Sequence, residues 1–172
     1  MLIGKTYTMF GPDGGVSCVG KSTYEDSQSG LAPRIAVELF TVLGEREASH
    51  HIGVTVNMFE LYNDGLNDLL NSNRCKDDEP LRIKLAEHSE SGMVEVEGAT
   101  SEKVESASDF LYLSRRGTEC RTTASTQMNL DSSRSHLVTS MVTQIVNKRT
   151  GRKTLGKLTL VDLAGSERIS KR

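Results

Sequence analysis

Three short stretches carry side chains from which a phosphate-handling site could be built. The first is Gly4-Lys5-Thr6, the tail of the pattern GxxxxGK[ST]. In that pattern backbone N–H groups cradle phosphates, the Lys reaches the β- and γ-phosphates and the hydroxyl ligates Mg²⁺. Its first glycine would fall before Met1, so the pattern is incomplete here. A complete match occurs at Gly15-Val16-Ser17-Cys18-Val19-Gly20-Lys21-Ser22. Its surroundings argue against it. Such a loop leaves a hydrophobic strand and enters a helix, whereas YTMFGPDG precedes this one and TYEDSQSG follows it. A Gly/Ser-rich surface loop that matches by accident accounts for it better.

The second stretch is Asn129-Leu130-Asp131-Ser132-Ser133-Arg134-Ser135-His136. Hydroxyls ligate Mg²⁺ or hold a water, and Arg pairs with a carboxylate or a phosphate. On chemistry alone a Ser-rich turn capping a strand is an equal reading. The third runs from Leu158 to Glu167: a β-rich run ends in Asp162, with Gly165 three residues on. An acid at a strand end holds Mg²⁺ in nucleotide hydrolases, and glycine lets a backbone N–H approach a γ-phosphate closely. A plain Asp-containing turn has the same look. Each element is modest alone. Phosphate loop, hydroxyl loop and acid strand, in that order in one chain, are hard to explain by chance.

These residues need a scaffold, and the flanking patterns describe one. Residues 11–30 are rich in Gly, Ser and Asp and read as a surface loop. LAPRIAVELFTVLG reads as a helix, with Pro33 in its first turn, Ala36, Leu39, Phe40 and Leu43 on one stripe, and Gly44 at its end. Ile52, Val54, Val56 and Met58 alternate as in a strand, and Asn63-Asp64-Gly65 marks a turn. Leu66, Leu69 and Leu70 have the spacing of a short helix. Residues 81–98 suggest a hairpin, with Val94 and Val96 alternating. In SASDFLYLSRRG, Ser106 and Asp109 resemble a capping box, and Gly117 is expected to end that helix. A Thr/Ser-rich stretch, 118–135, follows. HLVTSMVTQIVN is apolar on both faces, as in a strand buried between two layers. NKRTGRK is then a basic turn, and KLTLVDLAG a second strand. Helices alternating with strands predict an α/β fold with a mixed sheet.

The bulk composition narrows the class. The chain has 172 residues and a net charge of −2, which allows one domain with its own core and provides no basic field for nucleic acid. No apolar run approaches the ~20 residues of a membrane span, and the start has no h-region like that of a signal peptide. Cys18, Cys75 and Cys120 are three in number, odd and widely spaced, as reduced cytosolic thiols are. The four histidines fall in no metal-ligand spacing.

Taken together, the motifs resemble the kinesin motor domain. GKTYTMFG is similar to the second half of the kinesin phosphate loop and the start of its helix, NLDSSRSH to switch I (NxxSSRSH), and DLAGSER to switch II (DLAGSE). GLAPRIAVELF, FELYNDGLNDLL and RGTECRTTASTQMN fit as connecting pieces, so the resemblance covers nearly the whole chain. ELYNDGLNDLL and GMVEVEGAT look most like kinesins with a C-terminal motor, minus-end directed, including the calmodulin-binding type. The implied fold is a P-loop NTPase-like mixed central sheet flanked by helices and truncated at both ends. Residues 1–172 would run from the second half of the phosphate loop to just past switch II. The complete-looking match at Gly15–Ser22 would lie in a variable loop outside the active site.

The resemblance also implies roles. Gly4, Lys5, Thr6 and Tyr7 would contact ATP, with Lys5 on the β/γ-phosphates. Thr6, Ser133 and Asp162 would hold Mg²⁺, Asp162 through water. Ser132 and Ser133 would close on the γ-phosphate and attacking water, and the Gly165 N–H would sense the γ-phosphate. Arg134 and Glu167 would pair between the switches. The implied function is a microtubule-stimulated ATPase of the cytoplasm and cytoskeleton, with tubulin as partner, neither nucleic acid nor membrane as one, and any dimer formed through segments outside this chain. With only Met1-Leu2-Ile3 before Gly4, this chain alone is expected to bind Mg·ATP very weakly, if at all. A kinesin-like binding module without ATPase activity is the alternative. A GTPase would need an NKxD-like base-reading motif, and Asn147-Lys148-Arg149-Thr150 lacks the Asp. The hairpin around Leu85–Val96, a track contact in the family, carries an acidic tip that should not attract an acidic microtubule. The basic turn Lys148–Lys153 has the right sign, though a solvated hairpin turn is the simpler reading.

Overall fold

The computed structural model describes residues 4–11, 29–71, 80–85, 94–128 and 135–165, with the backbone alone for 122–128. The match at Gly15–Ser22, the hairpin tip, and site candidates Ser132, Ser133, Arg134 and Glu167 lie outside the described residues.

A long strand β1 (His50–Tyr62) anchors the sheet. Its even positions Val54, Val56 and Met58 are almost completely buried, as the alternation predicts. β6 (His136–Asn147) pairs with β1 along its whole length, and β7 (Lys153–Asp162) pairs with β6. On the other side of β1 lie two short strands in series, β2 (Gly65–Asp68) and β5 (Glu102–Val104). A separate hairpin joins β3 (Arg82–Leu85) to β4 (Val94–Glu97). Helices and strands are both present, but they do not alternate as expected: β1 to β5 follow one another with no helix between them among the described residues. The expected mixed sheet is antiparallel in every pairing among the described strands. Among these residues β7 is paired on one side only.

Three helices cover the Val54/Val56/Met58 face: α1 (Lys5–Phe10), α2 (Leu31–Gly44) and α3 (Ala107–Met128). Phe10, Ala32, Ala36, Leu43, Phe110 and Leu113 join Leu137, Met141 and Leu160 in one apolar cluster. The opposite face carries the β3–β4 hairpin, tied down by the Lys157 ammonium, which donates to the Val94 carbonyl at 2.6 Å. α1 ends at Gly11 in a positive-φ conformation (φ 87°) that favours glycine. The chain returns at Gly30 directly against Gly11: a Cβ on Gly30 would collide with the backbone of Phe10 and Gly11.

Two expectations are corrected. Residues 66–68 are strand, not helix. Asn63 and Asp64 both take positive φ (47° and 62°), the signature of a two-residue hairpin turn, and that turn folds β2 back onto β1. Gly117 does not end α3, which continues to Met128. Its missing Cβ serves packing instead, because a Cβ there would collide with Met58 Sδ on the sheet. The capping box at the start of α3 is present in a shifted form. Ser106 Oγ accepts from Asp109 N at 3.1 Å, while Asp109 Oδ2 accepts from Glu105 N at 3.0 Å. The Glu105 backbone N–H first, and then the Ser106 side chain, hydrogen-bond the Asp109 carboxyl and hold it below its ordinary value.

Candidate nucleotide site

Antiparallel register sets one end of the site. Glu60 pairs with Leu137, and Leu137 with Asp162, so Glu60 and Asp162 occupy one row on the helix-covered face, two strands apart. Asp162 is the last residue of β7 and is 3% exposed. Across from it α1 presents Thr6, whose hydroxyl donates to Asp162 Oδ2 at 2.5 Å. The structure therefore brings together residues separated by most of the sequence.

The chain beyond Asp162 is fixed from both sides. Lys5 Nζ donates to the Ala164 carbonyl at 2.9 Å, and the Ala164 N–H donates to His136 Nδ1 at 3.1 Å. His136 thus carries its ring proton on Nε2. Gly165 follows at once, half-buried. Lys5 is exposed, so exchanging a backbone carbonyl for a phosphate at its ammonium requires no burial. Tyr7 is 39% exposed on α1, and its carbonyl accepts from Gly11 N at 2.7 Å. Gly4 is extended (φ −139°), and a Cβ there would meet nothing within 4 Å, so no crowding among the described residues demands glycine.

Asp162 Oδ1 is buried and has no hydrogen-bond partner among the described residues. An unmatched carboxylate oxygen is costly in such a place. Beside a hydroxyl it suits a hard cation reached directly or through water. Among the described residues no three His, Cys, Asp or Glu side chains form a metal cage. Mg²⁺ needs none, since it keeps its waters and takes one or two protein ligands plus phosphate oxygens. Thr6 and Asp162 therefore fit Mg²⁺.

A second set of buried groups escaped the sequence reading. Arg121 of α3 is 6% exposed, Glu60 4% and Ser135 1%. Arg121 Nε lies 3.2 Å from Glu60 Oε1, and its Nη2 donates to Ser135 Oγ at 2.8 Å and to Ser135 O at 2.9 Å. Ser135 Oγ donates to Glu60 Oε1 at 2.7 Å. Nη1 forms an ion pair with Asp162 Oδ2 at 3.8 Å. One signal was available: Glu60 has the parity of Val54, Val56 and Met58, so the strand pattern sets a carboxylate on the core face, where it requires a partner.

Known proteins bear on this geometry. The family model for the kinesin motor domain matches residues 3–172. The chain belongs to the kinesin motor-domain family. It is 36% identical over 168 residues to the kinesin-like protein KIN-14I of Oryza sativa subsp. japonica, covering 98% of this chain and 12% of that protein. It is 40% identical over 173 residues to the kinesin-like protein Klp61F of Drosophila melanogaster, covering 98% and 15%. These identities do not set the KIN-14 proteins apart, so the likeness to C-terminal-motor kinesins is not exclusive. A solved structure described as a fast kinesin superposes with a TM-score of 0.77 at 32% identity, over 97% of this chain and 43% of the other. The chain thus spans less than half of that solved chain and about an eighth of the KIN-14I relative. Among the described residues no helix is long and apolar enough to cross a membrane.

Proposed function

We propose that residues 1–172 form part of a motor domain that binds Mg·ATP and hydrolyses it in step with microtubule attachment. The observation that carries this is the Thr6–Asp162 hydrogen bond beside the unmatched Asp162 oxygen. It supports the half phosphate loop at Gly4–Thr6 as the working one, and the strand-end acid as its counterpart.

In this reading Lys5 leaves the Ala164 carbonyl for the β- and γ-phosphates. Mg²⁺, when bound, supplies charge neutralisation at the phosphate oxygens. Thr6 and Asp162 hold it, with Ser133 from the switch I segment. Ser132 and Ser133 close on the γ-phosphate and the attacking water, and the Arg134–Glu167 pair positions that water. Gly165 presents its N–H to the γ-phosphate. Because Lys5 and His136 hold the two sides of the Ala164 peptide, release of Lys5 frees one side of the switch II loop. Ordering by the γ-phosphate and release on hydrolysis is the established behaviour of such loops. The site of action is the cytoplasmic cytoskeleton, with tubulin as partner and any dimer contacts outside these residues.

The test is a Mg·ATP titration of the chain, followed by thermal unfolding, beside Lys5→Ala and Lys21→Ala. The expected result is weak Mg²⁺-dependent binding, lost in Lys5→Ala and kept in Lys21→Ala. Loss in Lys21→Ala alone would move the site to the Gly15–Ser22 loop. Absence of binding in the wild-type chain would favour the non-catalytic alternative.

A further inference from the structure

Backbone pairing of β6 with β7 stops at Leu137 and Asp162. His136, the first residue of β6, is fixed by its pairing with Leu61 on β1. Its ring carries the link further along the chain, where Nδ1 accepts from the Ala164 N–H at 3.1 Å. The Ala164 carbonyl belongs to the next peptide, and it accepts from Lys5 Nζ at 2.9 Å. No peptide bond among the described residues is cis. In a trans peptide the C=O and the N–H that follows it point in opposite directions. With the Ala164 oxygen on Lys5, the Gly165 N–H therefore points away from the Lys5 ammonium. A phosphate taken up by Lys5 would face a carbonyl oxygen, acceptor against acceptor, where it needs a donor.

We propose that the Ala164–Gly165 peptide is a two-state element of the nucleotide site, with His136 as its pivot: the carbonyl faces Lys5 in the absence of a γ-phosphate, and the peptide turns over to present the Gly165 N–H when a triphosphate binds. This rests on the nucleotide reading above. Turning the peptide replaces a repulsive contact with a hydrogen bond, so a triphosphate binds the two states with different strength, as a ligand-driven switch requires. The rotation takes place about ψ of Ala164 and φ of Gly165, and glycine tolerates φ values that a side chain forbids. The Ala164 N–H belongs to the preceding peptide. It stays on His136 throughout, so the turn does not pull β7 away from β6. A diphosphate supplies no γ-phosphate oxygen for the Gly165 N–H and leaves the peptide unturned.

Exchange of backbone amide protons with water, followed by NMR on the full chain, tests this. Saturating Mg·ATP should slow exchange of the Gly165 N–H by about tenfold, the worth of one hydrogen bond. Mg·ADP should leave it as in the nucleotide-free chain. The Ala164 N–H should be protected equally in all three states. His136→Phe should remove that protection in every state, and His136→Asn, whose Oδ1 offers an acceptor in place of Nδ1, should restore it. Equal slowing of Gly165 by both nucleotides would overturn the flip, as would no slowing in a chain whose thermal unfolding ATP does shift. Loss of Ala164 protection on ATP binding would overturn the pivot. So would protection that survives His136→Phe, or that His136→Asn does not restore. Should His136→Phe fail to fold, the wild-type chain in its three states still decides the pivot. Absence of any thermal shift with ATP would sink the nucleotide reading, and the flip with it.

Discussion

The two ends of the β6–β7 pair both gather charged side chains and use them in opposite ways. At one end Arg121 lies 3.2 Å from Glu60 and 3.8 Å from Asp162, and all three are nearly sealed from solvent. At the other end Lys148, Arg149, Arg152 and Lys153 crowd a short turn, all exposed. The turn is shaped by neutral groups. Asn147 Oδ1 accepts from Arg149 N at 3.0 Å and Thr150 N at 2.9 Å, and Gly151 takes φ 69°. On the surface of the turn, Lys148 Nζ donates to the Glu47 carbonyl at 2.6 Å. A charge in the sealed end must find its opposite or cease to be a charge. A charge at the tip has water for a partner. Charge counts along the sequence therefore reveal little, while burial decides what each charge does.

Substitutions can break this comparison. Arg121→Met should destabilise by about 3–5 kcal/mol, because it strands buried carboxylates. Arg149→Met at the tip should stay within about 0.5 kcal/mol of wild type. Urea unfolding of both variants checks this, and similar losses would dissolve the contrast. Gly117→Ala should follow, at about 1–3 kcal/mol, since the new methyl meets Met58 Sδ in a filled core. Met58→Ala in the same chain should recover part of that loss if crowding is the cause.

Smaller changes sharpen the contrast at single groups. Thr6→Val removes the donor to Asp162 Oδ2 and should cost about 1–3 kcal/mol, with Mg²⁺-dependent ATP binding lost in the same variant. At exposed Asp109 a smaller and pH-dependent effect is expected. Its folded-state pKa is depressed, so its stabilisation is fully present above the ordinary Asp value and fades as pH falls through the folded value. Asp109→Asn should thus be slightly less stable than wild type near neutrality and equal to it in strong acid. Unfolding curves at the two pH values decide it, and a gap independent of pH would point to a cause other than the charge.

The fold was legible where burial follows a period and obscure where packing overrides local preference. β1 shows its period through Val54, Val56 and Met58, and α2 its stripe through Ala36 and Leu43. Leu66, Leu69 and Leu70 fit a helix just as well as a strand, and only the pairing of Leu66 with Leu61 resolves them. Leu69 and Leu70 are buried regardless, at 5% each. The second half of α3 was hidden by weak helix formers and by a glycine whose purpose is contact with Met58. Of the candidate site, Lys5, Thr6 and Asp162 were singled out by motif spacing, and the structure joins Thr6 to Asp162 and Lys5 to the Ala164 carbonyl just beyond it. Arg121 was not, because nothing local marks a residue whose partners lie 14, 41 and 61 positions away.

The close approach of Gly11 and Gly30 has a practical reading. α1 ends and α2 begins at nearly the same point, so the number of residues joining them has little leverage on the core. Doubling such a loop changes closure entropy by only about 0.6 kcal/mol. That makes the stretch a natural port: a place where an affinity tag, a fluorescent label or a second folded module can be spliced in while the helices on either side stay where they are.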